Sequence, residues 1–237
     1  MGVELIAMHG WGGDHRSWAP WDTAAMERGW RLSCGERGYG RQTPRLPSWG
    51  DAKQRVVLVH SLGLHLLPAD LLAQATALVL LASFGRFVPP GRPGRRLQQA
   101  LRGMAAQLQA GDAEAEAMLR RFLTEAAAPA PPEWLPHGPL EDGLSSDGRQ
   151  RLHNDLALLG RTDGLPAGFP GSARVLIVEA AEDRIVAPES RALLRAALPQ
   201  AEVLNLEGVG HSLLSPTLIP AVLHWIETHA AGGHGQG

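Results

Sequence analysis

The 237-residue sequence contains a single cysteine, Cys34, so no internal disulfide can form and a reducing compartment fits. Lysine is almost missing: Lys53 stands alone, and arginine supplies the rest of the positive charge. The formal net charge is −2, which predicts no general attraction to nucleic acid. No apolar run approaches the roughly 18–20 residues of a membrane span. Met1-Gly2-Val3-Glu4 lacks the basic region of a secretory signal, and Ile6 stands where a myristoylation motif needs Ser or Thr. The spacings H-E-x-x-H and H-x-x-E-H are also missing, and one thiol gives no ligand cluster. These absences predict a cytoplasmic monomer with no metal, no cofactor, no membrane partner and no nucleic-acid partner.

What is present centres on Val56-Val57-Leu58-Val59-His60-Ser61-Leu62-Gly63. A continuous β-branched run of this length reads as a strand of a parallel sheet covered on both faces. A Ser at its carboxyl end, followed by helix-compatible residues, has the layout of a strand–turn–helix nucleophile elbow. In G-x-S-x-G terms the first Gly is replaced by Val59, so the same residues also fit a Ser at an ordinary strand end.

Upstream, Val3–Met8 reads as a buried strand that stops at His9-Gly10-Trp11-Gly12-Gly13. The glycines suit a plain turn or a loop that aims a backbone N–H at a reacting carbonyl; they do not match G-x-G-x-x-G. Asp14 caps a helix through Trp18, Trp21 and Met26. Trp30–Cys34 is a further strand. Pro44, Pro47 and Gly50 then argue against a long crossover helix between Gln42 and Gln54. Ala69 to Gln74 continues the helix after Ser61, with Pro68 as a kink or restart. Ala75–Ser83 is the next strand, and residues 84–96, with Pro89, Pro90 and Pro93, mark a boundary.

Beyond that boundary the pattern turns helical. Leu97, Leu101, Met104, Ala105 and Leu108 line one amphipathic face; Met118, Leu119, Phe122 and Leu123 line a second. Gly111-Asp112 supplies a C-cap followed by an N-cap, and a proline-rich connector, 126–138, leads to a third helix over about 148–159. The βα alternation resumes with strands at 173–179 and 202–206, a helix opened by Pro188 and a closing helix with Val222, Leu223 and Ile226. The expected architecture is an α/β-hydrolase fold, a mostly parallel central sheet flanked by helices with an inserted helical lid. Residues 1–84 and 164–230 form the core, 85–163 the lid, and 231–237 a disordered tail.

Loops after successive strands thus offer Ser61, Asp183 and His211, in the order nucleophile, acid, base that an α/β-hydrolase sheet produces. A Ser hydroxyl needs a neutral imidazole to take its proton, and that imidazole needs a carboxylate to fix its tautomer. Glu179 and Glu182 compete with Asp183, which is favoured because it precedes Ile185-Val186-Ala187-Pro188. His9 suits a structural bond to loop backbone, and His60 suits packing or a substrate-side position.

His9-Gly10-Trp11-Gly12, Gly38-Tyr39-Gly40-Arg41, His60-Ser61-Leu62-Gly63, Arg121-Phe122-Leu123, Asp183 and Gly210-His211 follow one another in family order. Nearly the whole chain therefore resembles the small α/β-hydrolase carboxylesterases of biotin synthesis, which cleave the methyl ester of pimeloyl-acyl-carrier protein. The resemblance implies Ser61, Asp183 and His211 as triad and the Trp11 and Leu62 backbone N–H groups as oxyanion hole. It implies that Trp11 and Phe122 contact substrate and that Arg95, Arg96, Arg102, Arg120 and Arg121 meet the acyl-carrier protein. Val59, in place of a small residue, would crowd the elbow, and Leu64 stands where a second small residue is common. The edge strands of larger relatives are missing. The alternatives are a general short-chain esterase or thioesterase acting on small-molecule esters, and a catalytically silent binding protein on the same fold.

Overall fold

The computed structural model describes residues 2–229; the expected disordered tail, 231–237, lies outside them. Its frame is a six-stranded sheet: β1 (Val3–Met8), β2 (Arg31–Cys34), β3 (Gln54–His60), β4 (Ala77–Leu81), β5 (Arg174–Ala180) and β6 (Glu202–Leu206). The order is β2-β1-β3-β4-β5-β6 and every pairing is parallel. This is the α/β-hydrolase fold.

Alternation along each strand explains the unbroken apolar runs. Ile6, Met8, Val57, Val59, Leu78, Leu80 and Ile177 enter one buried cluster with Leu62, Leu64 and Phe84. Their neighbours Leu5, Ala7, Val56, Leu58, Val79 and Val178 enter another, against Trp18, Trp21, Val222 and Ile226. Helices thus cover both faces of the central strands, which is why those strands carry no alternating polar residues.

The helices are α1 (Ala19–Met26), α2 (Gly63–Leu66), α3 (Ala69–Leu72), α4 (Gly91–Ala110), α5 (Asp112–Ala127), α6 (Pro139–Asp142), α7 (Ser146–Leu159), α8 (Pro188–Ala197) and α9 (Leu218–His229). Asp14 accepts from the Arg16 N–H and caps a 3-10 turn, His15–Trp18, that runs into α1. The helix expected after Ser61 is two pieces, because Leu67 and Pro68 are extended between α2 and α3. Helix α4 begins at Gly91, inside the stretch read as a boundary; Pro93 lies in its first turn, where its missing N–H costs nothing. Gly111, not Asp112, is the N-cap of α5.

The helixless segment 42–53 has a structural task. Ser48 N–H donates to Ser33 Oγ (3.0 Å) and Arg45 Nε–H to the Cys34 carbonyl (3.1 Å), so it covers the free edge of β2. Trp49 Nε1–H reaches the Leu71 carbonyl (3.1 Å) and ties the segment to α3.

Helices α4 to α7 are inserted between β4 and β5, and their buried residues join the first cluster through Leu108, Met118, Leu119, Leu152 and Leu156. Helix α7 is fastened by polar bonds as well. Arg37 grips Asp155 through two N–H groups (2.9 and 2.7 Å), and the Tyr39 hydroxyl donates to the same carboxylate (2.7 Å). Burial and the neighbouring Asp155 hold the Tyr39 phenol well above its ordinary pKa, so it stays a donor. Among the described residues, no helix is long and apolar enough to cross a membrane.

Candidate active site

The chain leaves β1 toward β2 on one side and returns to β3 on the other, so the strand order reverses between β1 and β3. In open α/β sheets a crevice forms at the carboxyl ends flanking such a reversal. Here those ends carry His9-Gly10-Trp11 and His60-Ser61.

Ser61 lies between β3 and α2 with φ 52°, a left-handed conformation that costs a non-glycine residue roughly 1–2 kcal/mol. Its N–H donates to the Leu81 carbonyl (2.9 Å), and its own carbonyl accepts from buried Ser83 Oγ (2.8 Å). Gly63 is required for space: a Cβ there would lie 2.4 Å from the Met8 carbonyl oxygen. Val59 does not prevent the turn, because its side chain is fully buried in the sheet cluster. Among the described residues the non-glycine positions with positive φ are Ser61, Ala82 and Leu213, all on loops after strands at this rim. Backbone strain of this kind concentrates at functional sites.

Asp183 follows β5 and is buried. Its Oδ1 accepts from the Ile185 and Val186 N–H groups (2.8 and 3.0 Å), and its Oδ2 meets His211 Nδ1 at 3.0 Å. Burial pushes the carboxyl up, but the His211 ring and the two backbone N–H groups outweigh it and hold the pKa below the ordinary carboxylate value. An ionised Asp183 selects the Nδ1–H form of His211, which leaves Nε2 to accept a proton. The competitors are engaged elsewhere or lie off this contact: Glu179 pairs with Arg195 (2.6 Å), and Glu182 faces solvent.

Among the described residues no hydrogen bond joins the Ser61 hydroxyl to the His211 ring. Such contacts are often long before substrate binds and tighten in the reacting complex. The Trp11 and Leu62 N–H groups likewise have no acceptor among the described residues. Gly10 brings the Trp11 loop onto the elbow, for a Cβ at Gly10 would lie 2.9 Å from Ser61 Cβ. The Trp11 indole donates to the Leu152 carbonyl (2.8 Å) and meets Phe122 edge-on at 4.9 Å.

A cleft of about 610 Å³ opens over this rim, lined by Gly10, Trp11, His60, Phe122, Leu135 and His211 among others. Ser61, 5 % exposed, does not itself line it. Arg95, Arg96, Arg102, Arg120 and Arg121 are all exposed on α4 and α5. Arg120 borders the main cleft, and Arg96 borders a smaller one with Arg92 and Arg184.

Three features escaped the sequence reading. His60 Nε2 contacts the His211 carbonyl oxygen at 2.9 Å, and Ser83 holds the Ser61 carbonyl. Buried Glu36 is a hub that accepts from the His15 N–H (2.9 Å), His15 Nδ1 (2.7 Å) and the Gly38 N–H (2.7 Å). Asp14, His15 and Glu36 have ligand atoms close enough to surround a cation. However, the Arg16 guanidinium occupies Asp14 Oδ2 through two N–H groups and those donors occupy Glu36, so the cluster is satisfied within the protein. His9 is structural, as expected: Nδ1 bonds the Gly10 carbonyl (2.8 Å) and Nε2 accepts from the Arg37 N–H (3.2 Å).

No family model matches the chain, and no curated protein matches its sequence. Solved structures do match in fold. A thermophilic esterase from Thermogutta terrifontis superposes with a TM-score of 0.67 at 15% identity, over 97% of this chain and 91% of that one. The enol-lactonase from Burkholderia xenovorans LB400 gives 0.67 at 17% identity, over 95% and 92%. The bromoperoxidase from Bacillus anthracis gives 0.64 at 17%, over 96% and 92%. Their names span different chemistries, so the likeness fixes the fold and leaves the reaction to the site.

Proposed function

We propose that this protein is a serine carboxylesterase. Ser61 attacks the ester carbonyl as His211 Nε2 takes its proton, and the Trp11 and Leu62 N–H groups receive the oxyanion. His211 then returns the proton to the departing alcohol, and water drawn by the same imidazole releases the acid from the acyl-enzyme. The observation that carries this reading is the buried contact of 3.0 Å between Asp183 and His211, at the rim where Ser61 sits in a left-handed turn.

The substrate we propose is the methyl ester of pimeloyl-acyl-carrier protein, with a cytoplasmic site of action. Support comes from the motif resemblance along the chain and from the largely apolar cleft against Phe122 and Trp11. The exposed Arg95, Arg96, Arg102, Arg120 and Arg121 would steer an acidic carrier protein. A general short-chain esterase accounts equally for the Asp183–His211 contact and the apolar cleft, but not for the motif resemblance or the arginines.

The first test is p-nitrophenyl acetate turnover by the wild type and Ser61→Ala, where the loss of kcat should reach about a thousandfold or more. Equal slow rates in both would instead support a silent binding protein. The second assay follows a carrier-bound pimeloyl methyl ester by product mass. No demethylation by an otherwise active enzyme would leave the general esterase.

A further inference from the structure

We infer that His60 is a positioning residue for His211, sharing that task with the carboxyl-terminal turn of α5. This rests on the reading of His211 as the base and concerns how its loop is held. His60 is the last residue of β3, immediately before Ser61. Its Nε2–H donates to the carbonyl oxygen of His211 itself (2.9 Å), which fixes the His60 tautomer. Its Nδ1 faces Gly10 on the oxyanion loop, 3.2 Å from where a Cβ would stand. The ring therefore bridges the oxyanion loop to the base loop, with its centroid 4.9 Å from that of His211.

Helix α5 holds the base loop from another direction. The Ser212 N–H donates to the Ala126 carbonyl (2.9 Å). Gly210 is pressed so closely on Ala128 that a Cβ would lie 1.8 Å from its carbonyl oxygen. Between these braces, the Leu213 N–H closes a tight turn onto the Gly210 carbonyl (2.9 Å), with Leu213 at φ 52°. The carboxylate of Asp183 grips only the ring, so by itself it leaves the backbone of residue 211 free to swing. The bond from His60 to the His211 carbonyl fixes that backbone, and with it the direction in which the ring leaves the chain. Because His60 and Ser61 are neighbours in the chain, any shift of the nucleophile carries the brace with it.

The same helix reaches the other loops of the site. Phe122 packs on Trp11, the side chain of Leu119 lies against Gly12, and Glu125 stands 3.6 Å from Arg184, next to Asp183. The placement of the base is therefore linked to the seating of the helical insertion over the cleft.

The test compares His60→Ala and His60→Gln in the full chain, reading kcat, KM and Tm with p-nitrophenyl butyrate. A second readout is the downfield Nδ1 proton of His211 by 15N-edited NMR. We expect His60→Ala to lose between about ten- and a hundredfold in kcat with KM changed by less than about twofold, the pattern of a misplaced group. His60→Gln should recover most of that loss, because its amide N–H can reach the same carbonyl. The His211 Nδ1 proton should be sharp in the wild type and His60→Gln and broadened in His60→Ala. Unchanged kcat in His60→Ala, or equal losses in both variants that track a common fall in Tm, would overturn the inference. If the wild type shows no Ser61-dependent turnover, the hydrolase reading fails, and the NMR arm decides alone: an unchanged Nδ1 signal in His60→Ala refutes the brace.

Discussion

Asp183 divides its two oxygens between separate tasks, one fixing its own loop through backbone N–H groups and the other orienting His211. Glu36 likewise ties backbone and imidazole groups together, and its pKa gives a test of stability. Burial would raise it, but the His9 ring at 3.7 Å and the His15 and Gly38 N–H groups pull it down to about 2. A depressed carboxylate stabilises the fold fully above its unfolded pKa of about 4.3, and the contribution is lost as pH falls toward the folded value. With its side chain fully enclosed, the effect is on the order of 3 kcal/mol. Glu36→Gln should thus lower Tm clearly at pH 7 and converge with the wild type near pH 2. Parallel Tm curves across that range would contradict the assignment. At this scale Ser61, Asp183 and His211 stood out as candidates because each lies on a loop after a strand, and the structure brings Asp183 and His211 into contact. Glu36, Ser83 and the bond made by His60 were not. They act on carbonyls and amides of distant loops, and such pairings leave no periodic trace in a sequence.

At the scale of elements, α5 matters most, since it abuts the loops that carry Trp11, Asp183 and His211. Gly210→Ala tests that coupling directly. The added methyl group has no room against the Ala128 carbonyl, so the His211 loop or α5 must shift. We expect kcat to fall by about a hundredfold, while Tm falls by less than about 8 °C because the strained contact is local. Full activity with a retained fold would contradict the coupling. Helix α5 itself was legible from its apolar spacing. The start of α4 was hidden because Pro93 reads as a breaker, although proline is well tolerated in a first helical turn. The role of residues 42–53 was also hidden. An edge cover is made of backbone and side-chain bonds, and it has no periodicity to read.

For the whole molecule, the fold follows from alternating strands with apolar faces on both sides, and topology then sets where chemistry can happen. The strand reversal between β1 and β3 puts a glycine-rich loop beside the Ser61 elbow, and β5 and β6 bring their loops to the same rim. Helices α4 to α7 share one buried cluster with the sheet, so the roof of the cleft is continuous with the core.

The most direct measurement is the rate and site of labelling by a fluorophosphonate, followed by intact mass and peptide mapping. The wild type should gain one phosphonyl group on Ser61, Ser61→Ala none, and His211→Gln should react at least about a hundredfold more slowly. Labelling elsewhere, or an unchanged rate in His211→Gln, would contradict a serine activated by this imidazole.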